Sequence, residues 1–134
     1  VHIKHFDRQS VNEILGKSTN ENLFLIDPMD YLPFGFLMQK SDLILTDSGG
    51  IQEEASDLGK PVLVMRETTE RPEALEAGTI ELVGTSQKKI ISSVSRLILD
   101  NKVYKNMIND LNPYGDGKAS ERIVKLVLEL LSSI

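Results

Sequence analysis

The sequence predicts an α/β fold, a parallel sheet with helices on both faces. Two observations carry that expectation. Short apolar runs of strand length alternate with segments of helical pattern along most of the chain. At one point an apolar run passes through Ser-Gly-Gly directly into a helical segment, the junction that βαβ units use. With 134 residues, 40% of them apolar, the chain can build one continuous core, so a single domain over residues 1–134 is expected.

The elements follow in order. The chain opens on Val1 rather than methionine, and its first residues read as the end of something already under way, so a domain excised from a longer protein is expected. Residues 10–15 suit a short helix, and the polar stretch 17–22 a loop. Leu23-Phe24-Leu25-Ile26 has the length and composition of a buried strand. A helix over residues 31–40 then leads to the strand Leu43-Ile44-Leu45, a helix over 50–58 and the strand Val62-Leu63-Val64-Met65. A fourth strand is Ile80-Glu81-Leu82-Val83. Strands separated by helices in this way imply right-handed crossovers and a sheet buried on both sides. Beyond Val83 the pattern is helical. Ile90, Ile91, Val94, Leu97 and Ile98 share one face of a helix that Thr85 or Ser86 caps. A shorter helix follows over 102–109, and a last one begins after Gly117 with Ile123, Val124, Val127, Leu128 and Leu131 as its buried stripe.

Composition narrows the function. The net charge is -5 and the 15 Lys and Arg residues are scattered, which argues against nucleic acid as a partner. There is no cysteine, hence no disulfide, thiolate metal site or cysteine nucleophile, as suits a cytoplasmic protein. No apolar run approaches the roughly 18 residues of a membrane span, so no membrane partner is expected. His2 and His5 are the only histidines and form no metal-binding pattern, so neither a metal nor another cofactor is expected.

The chemistry concentrates in Leu43-Ile44-Leu45-Thr46-Asp47-Ser48-Gly49-Gly50-Ile51-Gln52-Glu53-Glu54-Ala55. A helix that starts at a strand's C-terminal end presents unpaired backbone N–H groups and the positive end of its dipole, a natural anion site. Gly49 and Gly50 let a phosphate approach the backbone, Ser48 adds a hydroxyl, and a diphosphate fits. Glu54, one turn on, is placed to accept hydrogen bonds from ribose hydroxyls, whereas Glu53 points roughly 100° away. The same residues also fit a plain tight turn, with Asp47 or Ser48 as N-cap and Glu54 solvated. A serine nucleophile elbow is excluded because Thr46 stands where a glycine is required. A dinucleotide fingerprint lacks its third glycine, and a P-loop its lysine.

Two neighbouring loops complete the candidate site. Residues 66–74 leave the next strand on the same sheet edge, where Arg71 is a candidate to neutralise phosphate; alternatively the loop's opposite charges pair among themselves. In Tyr31-Leu32-Pro33-Phe34, the Phe34 ring or backbone is a candidate to meet a base, and core packing is the alternative. Tyr114-Gly115-Asp116-Gly117 reads as a loop between two helices.

Taken together, the run Leu45 to Ala55, then Gly59-Lys60-Pro61-Val62-Leu63-Val64-Met65-Arg66, Thr68-Thr69-Glu70-Arg71-Pro72-Glu73, Ala77-Gly78-Thr79 and Asn112-Pro113-Tyr114-Gly115-Asp116-Gly117 resembles the non-hydrolysing UDP-N-acetylglucosamine 2-epimerases. The resemblance implies two Rossmann-like domains facing each other across a cleft, the glycosyltransferase-B architecture, of which this chain is similar to the second. It implies that Ser48, Gly49 and Gly50 bind the diphosphate of UDP or UDP-N-acetylglucosamine, Glu54 the ribose, Phe34 the uracil, and that Arg71 lines the cleft near the phosphates. In the family the sugar loses its C2 proton as UDP leaves C1, and UDP adds back so that C2 is inverted, giving UDP-N-acetylmannosamine for cell-surface polysaccharide. The acid and base carboxylates belong to the N-terminal domain, and family members are commonly homodimers. The 134 residues alone are therefore expected to bind UDP weakly and not to epimerise.

One departure stands at the start. Where the family shows Val-His-x-Asn-Pro-Asn near an activator site, this chain reads Val1-His2-Ile3-Lys4-His5-Phe6, so the resemblance does not carry an activator role to His2. The competing readings are the donor-binding domain of a glycosyltransferase, a hydrolysing epimerase and a non-catalytic nucleotide-sugar module. Acceptor-dependent UDP release would mark the first.

Overall fold

The computed structural model describes residues 8–108 and 113–133. His2, His5 and the departure at residues 1–6 lie outside them, as does Asn112. The chain divides into two compact units, the first running to Leu37 and the second starting at Met38.

In the first unit, α1 (Arg8–Leu15) is followed by a loop and then by α2 (Tyr31–Lys40), whose last turn belongs to the second unit. The expected strand at residues 23–26 is not there. Only an isolated bridge residue, Ile26, marks it, and Phe24 and Leu25 are exposed. An apolar run of four states a preference for burial, but a strand exists only where a neighbouring strand takes its hydrogen bonds.

The second unit holds the sheet. Three parallel strands, β1 (Ile44–Thr46), β2 (Val62–Val64) and β3 (Ile80–Leu82), lie in that order, with Ile44 opposite Val62 and Val62 opposite Ile80. β1 and β2 are joined through α3 (Gly49–Asp57), and β2 and β3 through α4 (Pro72–Ala77). After β3 come α5 (Gln87–Leu99), α6 (Asn101–Met107) and α7 (Ala119–Ser132).

β2 is the centre of the packing. Side chains alternate across a strand, so Val62 and Val64 face one layer and Leu63 the other. Val62 and Val64 pack with Ala55 of α3, Ala74 of α4 and Ile80, while Leu63 packs with Val83, Leu97 of α5 and Met107 of α6. The sheet is thus covered on both faces, as the strand–helix alternation predicted. α5 also starts where the sequence indicates, with the Ser86 Oγ accepting from the Lys89 N–H.

Two helices depart from expectation. α4 begins inside the stretch read as a charged loop, residues 66–74, and runs past it; Pro72, pre-set for a first helical turn, starts it, and Gly78, in the left-handed conformation at φ 76°, ends it. α7 forms as expected but buries nothing. Its apolar residues are all exposed, from 47% at Val127 to 66% at Leu130, and neither core contains one of them. A helical stripe shows that a helix is amphipathic; it does not show what covers it.

Candidate functional site

The loops that leave the C-terminal ends of β1 and β2 lie side by side, since the Met65 N–H donates to the Thr46 carbonyl at 2.8 Å. The first of them is only Asp47-Ser48 before α3 begins. Ser48 is the N-cap residue, in extended backbone, yet its hydroxyl makes no capping bond to the helix. Its N–H instead donates to the buried Thr46 Oγ1 at 3.1 Å, which turns the chain sharply from strand into helix. The N-terminal amides of α3 therefore carry no capping bond from Ser48, and that hydroxyl stands beside them.

The two glycines are informative for what they do not do. Neither Gly49 nor Gly50 has a positive φ, so the backbone does not require glycine there. A methyl group on Gly50 would meet nothing within 4 Å, and one on Gly49 would sit 3.9 Å from Glu70 Oε2, ordinary contact. Glycine weakens a helix relative to alanine by roughly 0.5–1 kcal/mol. Here neither backbone nor packing demands the two glycines.

The second loop carries Arg66, Glu70 and Arg71. Arg66 Nη1 donates to both carboxylate oxygens of Glu70, at 2.9 and 2.8 Å, so part of the loop's charge does pair internally. Glu70's own backbone N–H and then Arg66 hold its carboxyl below the ordinary carboxylate range. Arg71 bonds within the loop, Nη1 to the Glu70 carbonyl at 3.3 Å, and also reaches beyond it. Its Nε donates to Glu53 Oε1 on α3, a bond that raises the guanidinium pKa further. Above this pair lies Tyr114, packed against the α3 and α4 core; burial, followed by the Glu73 and Glu53 carboxylates, pushes its phenol up.

The structure thus brings Ser48, Gly49, Gly50 and Arg71 to one edge of the sheet, with Glu54 half-buried one turn along α3. Phe34 belongs to the first unit, half-buried on α2, with its N–H donating to the Asp30 carbonyl at 3.1 Å. Three side chains not assigned to the site in the sequence contribute: Glu53, set aside there as pointing away, which holds Arg71, and the pair Gln52 and Thr69. Gln52 is fully buried on the face of α3 that also presents Ala55, and Thr69 Oγ1 donates to its Oε1 at 2.9 Å. A polar residue in the register of a core face was the available signal. Among the described residues, no group of three or more His, Asp or Glu side chains could hold a metal ion, and no helix is long and apolar enough to cross a membrane.

A parallel sheet covered on both faces, with a glycine turn opening a helix at its C-terminal edge, defines an α/β domain of the Rossmann-like type. The family model described as UDP-N-acetylglucosamine 2-epimerase matches residues 1–128, and the chain belongs to that family. The UDP-N-acetylglucosamine 2-epimerase of Escherichia coli K12 is 57% identical over 125 residues, covering 93% of this chain and 33% of the relative. The structure of the Neisseria meningitidis UDP-GlcNAc 2-epimerase bound to UDP-GlcNAc superposes with a TM-score of 0.81 at 52% identity, covering 91% of this chain and 32% of that one. The UDP co-structure of S. aureus MnaA gives the same TM-score at 46% identity, covering 95% and 34%. The chain therefore spans about a third of the length of the relatives it matches.

Proposed function

We propose that this chain is the C-terminal nucleotide-binding domain of a non-hydrolysing UDP-N-acetylglucosamine 2-epimerase, which interconverts UDP-N-acetylglucosamine and UDP-N-acetylmannosamine. The observation that carries the reading is the pair of glycines at the start of α3, demanded by neither backbone nor packing, beside a serine hydroxyl that caps nothing. Relatives of the same family have been solved with UDP-GlcNAc and with UDP.

In this reading the diphosphate sits on the amides of Gly49 and Gly50 and on the Ser48 hydroxyl. As the C1–O bond breaks, negative charge grows on the departing phosphate, and oriented amides and a guanidinium stabilise it without reorganising. Arg71 supplies the guanidinium, and Glu54 accepts from the ribose hydroxyls. Removal and return of the C2 proton require acid and base groups on the far wall of the cleft. An N-terminal domain is therefore this chain's first partner, and the exposed apolar face of α7 is surface that such a partner can cover. The whole enzyme acts as a cytoplasmic homodimer feeding surface polysaccharide synthesis.

Calorimetric titration with UDP tests the binding half. The native chain should bind, and Ser48→Ala and Glu54→Ala should each weaken binding roughly tenfold, the worth of one good hydrogen bond to a charged or ligand group. A native chain that takes up no UDP even at millimolar concentration would overturn the reading.

A further inference from the structure

We propose that Thr69 and Gln52 are positioning residues that fix the base of Arg71, so that its guanidinium addresses the diphosphate site from a set point; this rests on the UDP reading above. The geometry is a relay. Gln52 Oε1 accepts from Thr69 Oγ1 at 2.9 Å, and that same hydroxyl oxygen accepts from the Arg71 backbone N–H at 3.1 Å. The next residue of α3, Glu53, then takes the Arg71 side chain. Consecutive residues of one helix thus hold Arg71 twice, Gln52 by its backbone through Thr69 and Glu53 by its guanidinium. The helix that gives this hold is also the one that opens with Gly49 and Gly50, so the arginine and the amides share one rigid support.

The cost of the arrangement argues that it is used. Gln52 is fully buried, and its Nε2 has no hydrogen-bond partner. Burying an unsatisfied amide group is unfavourable, and a leucine of similar size would avoid that cost. What leucine could not do is accept the Thr69 hydroxyl. Without that bond, Arg71 enters α4 from a backbone no side chain caps, at φ -123° and ψ 64°, with its side chain alone to hold it, through the Glu53 ion pair and an Nη1 bond to the Glu70 carbonyl.

The test uses Thr69→Val, which keeps the shape and removes the hydroxyl, against Thr69→Ser, which keeps the hydroxyl. The first readout needs no ligand: the Arg71 Nε–H signal in a proton–nitrogen spectrum. Thr69→Val should average or shift it while the rest of the spectrum stays dispersed, and Thr69→Ser should preserve it. The second is UDP affinity, which Thr69→Val should lower about fivefold, with no further loss when Arg71→Ala is already present, because contacting groups couple. An unchanged Arg71 signal in Thr69→Val would overturn the relay, as would a loss of affinity that simply adds to that of Arg71→Ala. A native chain that ignores UDP while its Arg71 signal still responds to Thr69→Val would keep the relay and overturn the nucleotide reading.

Discussion

Glycine at position 50 is the residue whose identity the fold explains least and the site explains best. Gly50→Ala should raise the unfolding free energy by about 0.5–1 kcal/mol, because a Cβ there meets open space and the helix gains propensity. The same change should weaken UDP binding; chemical denaturation and calorimetry on one pair of proteins read both effects. Glu70 offers a test in acid. Its carboxyl is held low, so its contribution to stability is present above the usual carboxylate value of 4.5 and is lost as pH falls through the lower folded value. Arg66→Gln should raise that value only partway, since Glu70's own backbone N–H is the larger cause, and carbon-detected titration would follow it. The sequence exposed Ser48, Gly49 and Gly50 because three small residues between strand and helix are a local signature. It did not expose Glu53 as Arg71's partner, because a pairing 18 residues apart follows only once the crossover has folded.

Among the elements, legibility followed whether local signals sufficed. α5 could be read from its serine cap and from Ile90, Val94 and Leu97, which face the core, because cap and period are properties of contiguous sequence; Ile91 and Ile98 of the same stripe are exposed, while Ser93 is buried. α6 is capped by Asp100, whose Oδ1 accepts from the N–H groups of Lys102 and Val103 at 2.9 and 3.3 Å. Asp100→Ala should therefore cost about 1 kcal/mol, measurable by denaturant titration. Among the described residues the strand expected at 23–26 is reduced to the bridge at Ile26, because pairing is not local and four apolar residues do not fix its extent. α4 was passed over because six residues fall below the length at which an apolar period can be recognised, although Pro72 and Gly78 bracket it as start and stop.

At the scale of the molecule, α7 stands apart. Fourteen residues of helix with every apolar side chain exposed contribute little to the fold, since an isolated helix of that length is marginal in water. Truncation after Lys118 should leave the thermal midpoint of the remaining chain nearly unchanged and reduce concentration-dependent association, as sedimentation would report. A chain spanning a third of its relatives should also leave UDP-N-acetylglucosamine unaltered on long incubation, with proton NMR showing no new C2 epimer. The central strand carries a different implication. Val62 and Val64 close one core and Leu63 the other, so opening of either layer is expected to disturb the strand that both share. Backbone amides on either side of the sheet should then exchange with solvent deuterium at one common, slow limit set by unfolding of the whole unit. Leu63→Ala, costing about 2–5 kcal/mol, should speed both sides alike.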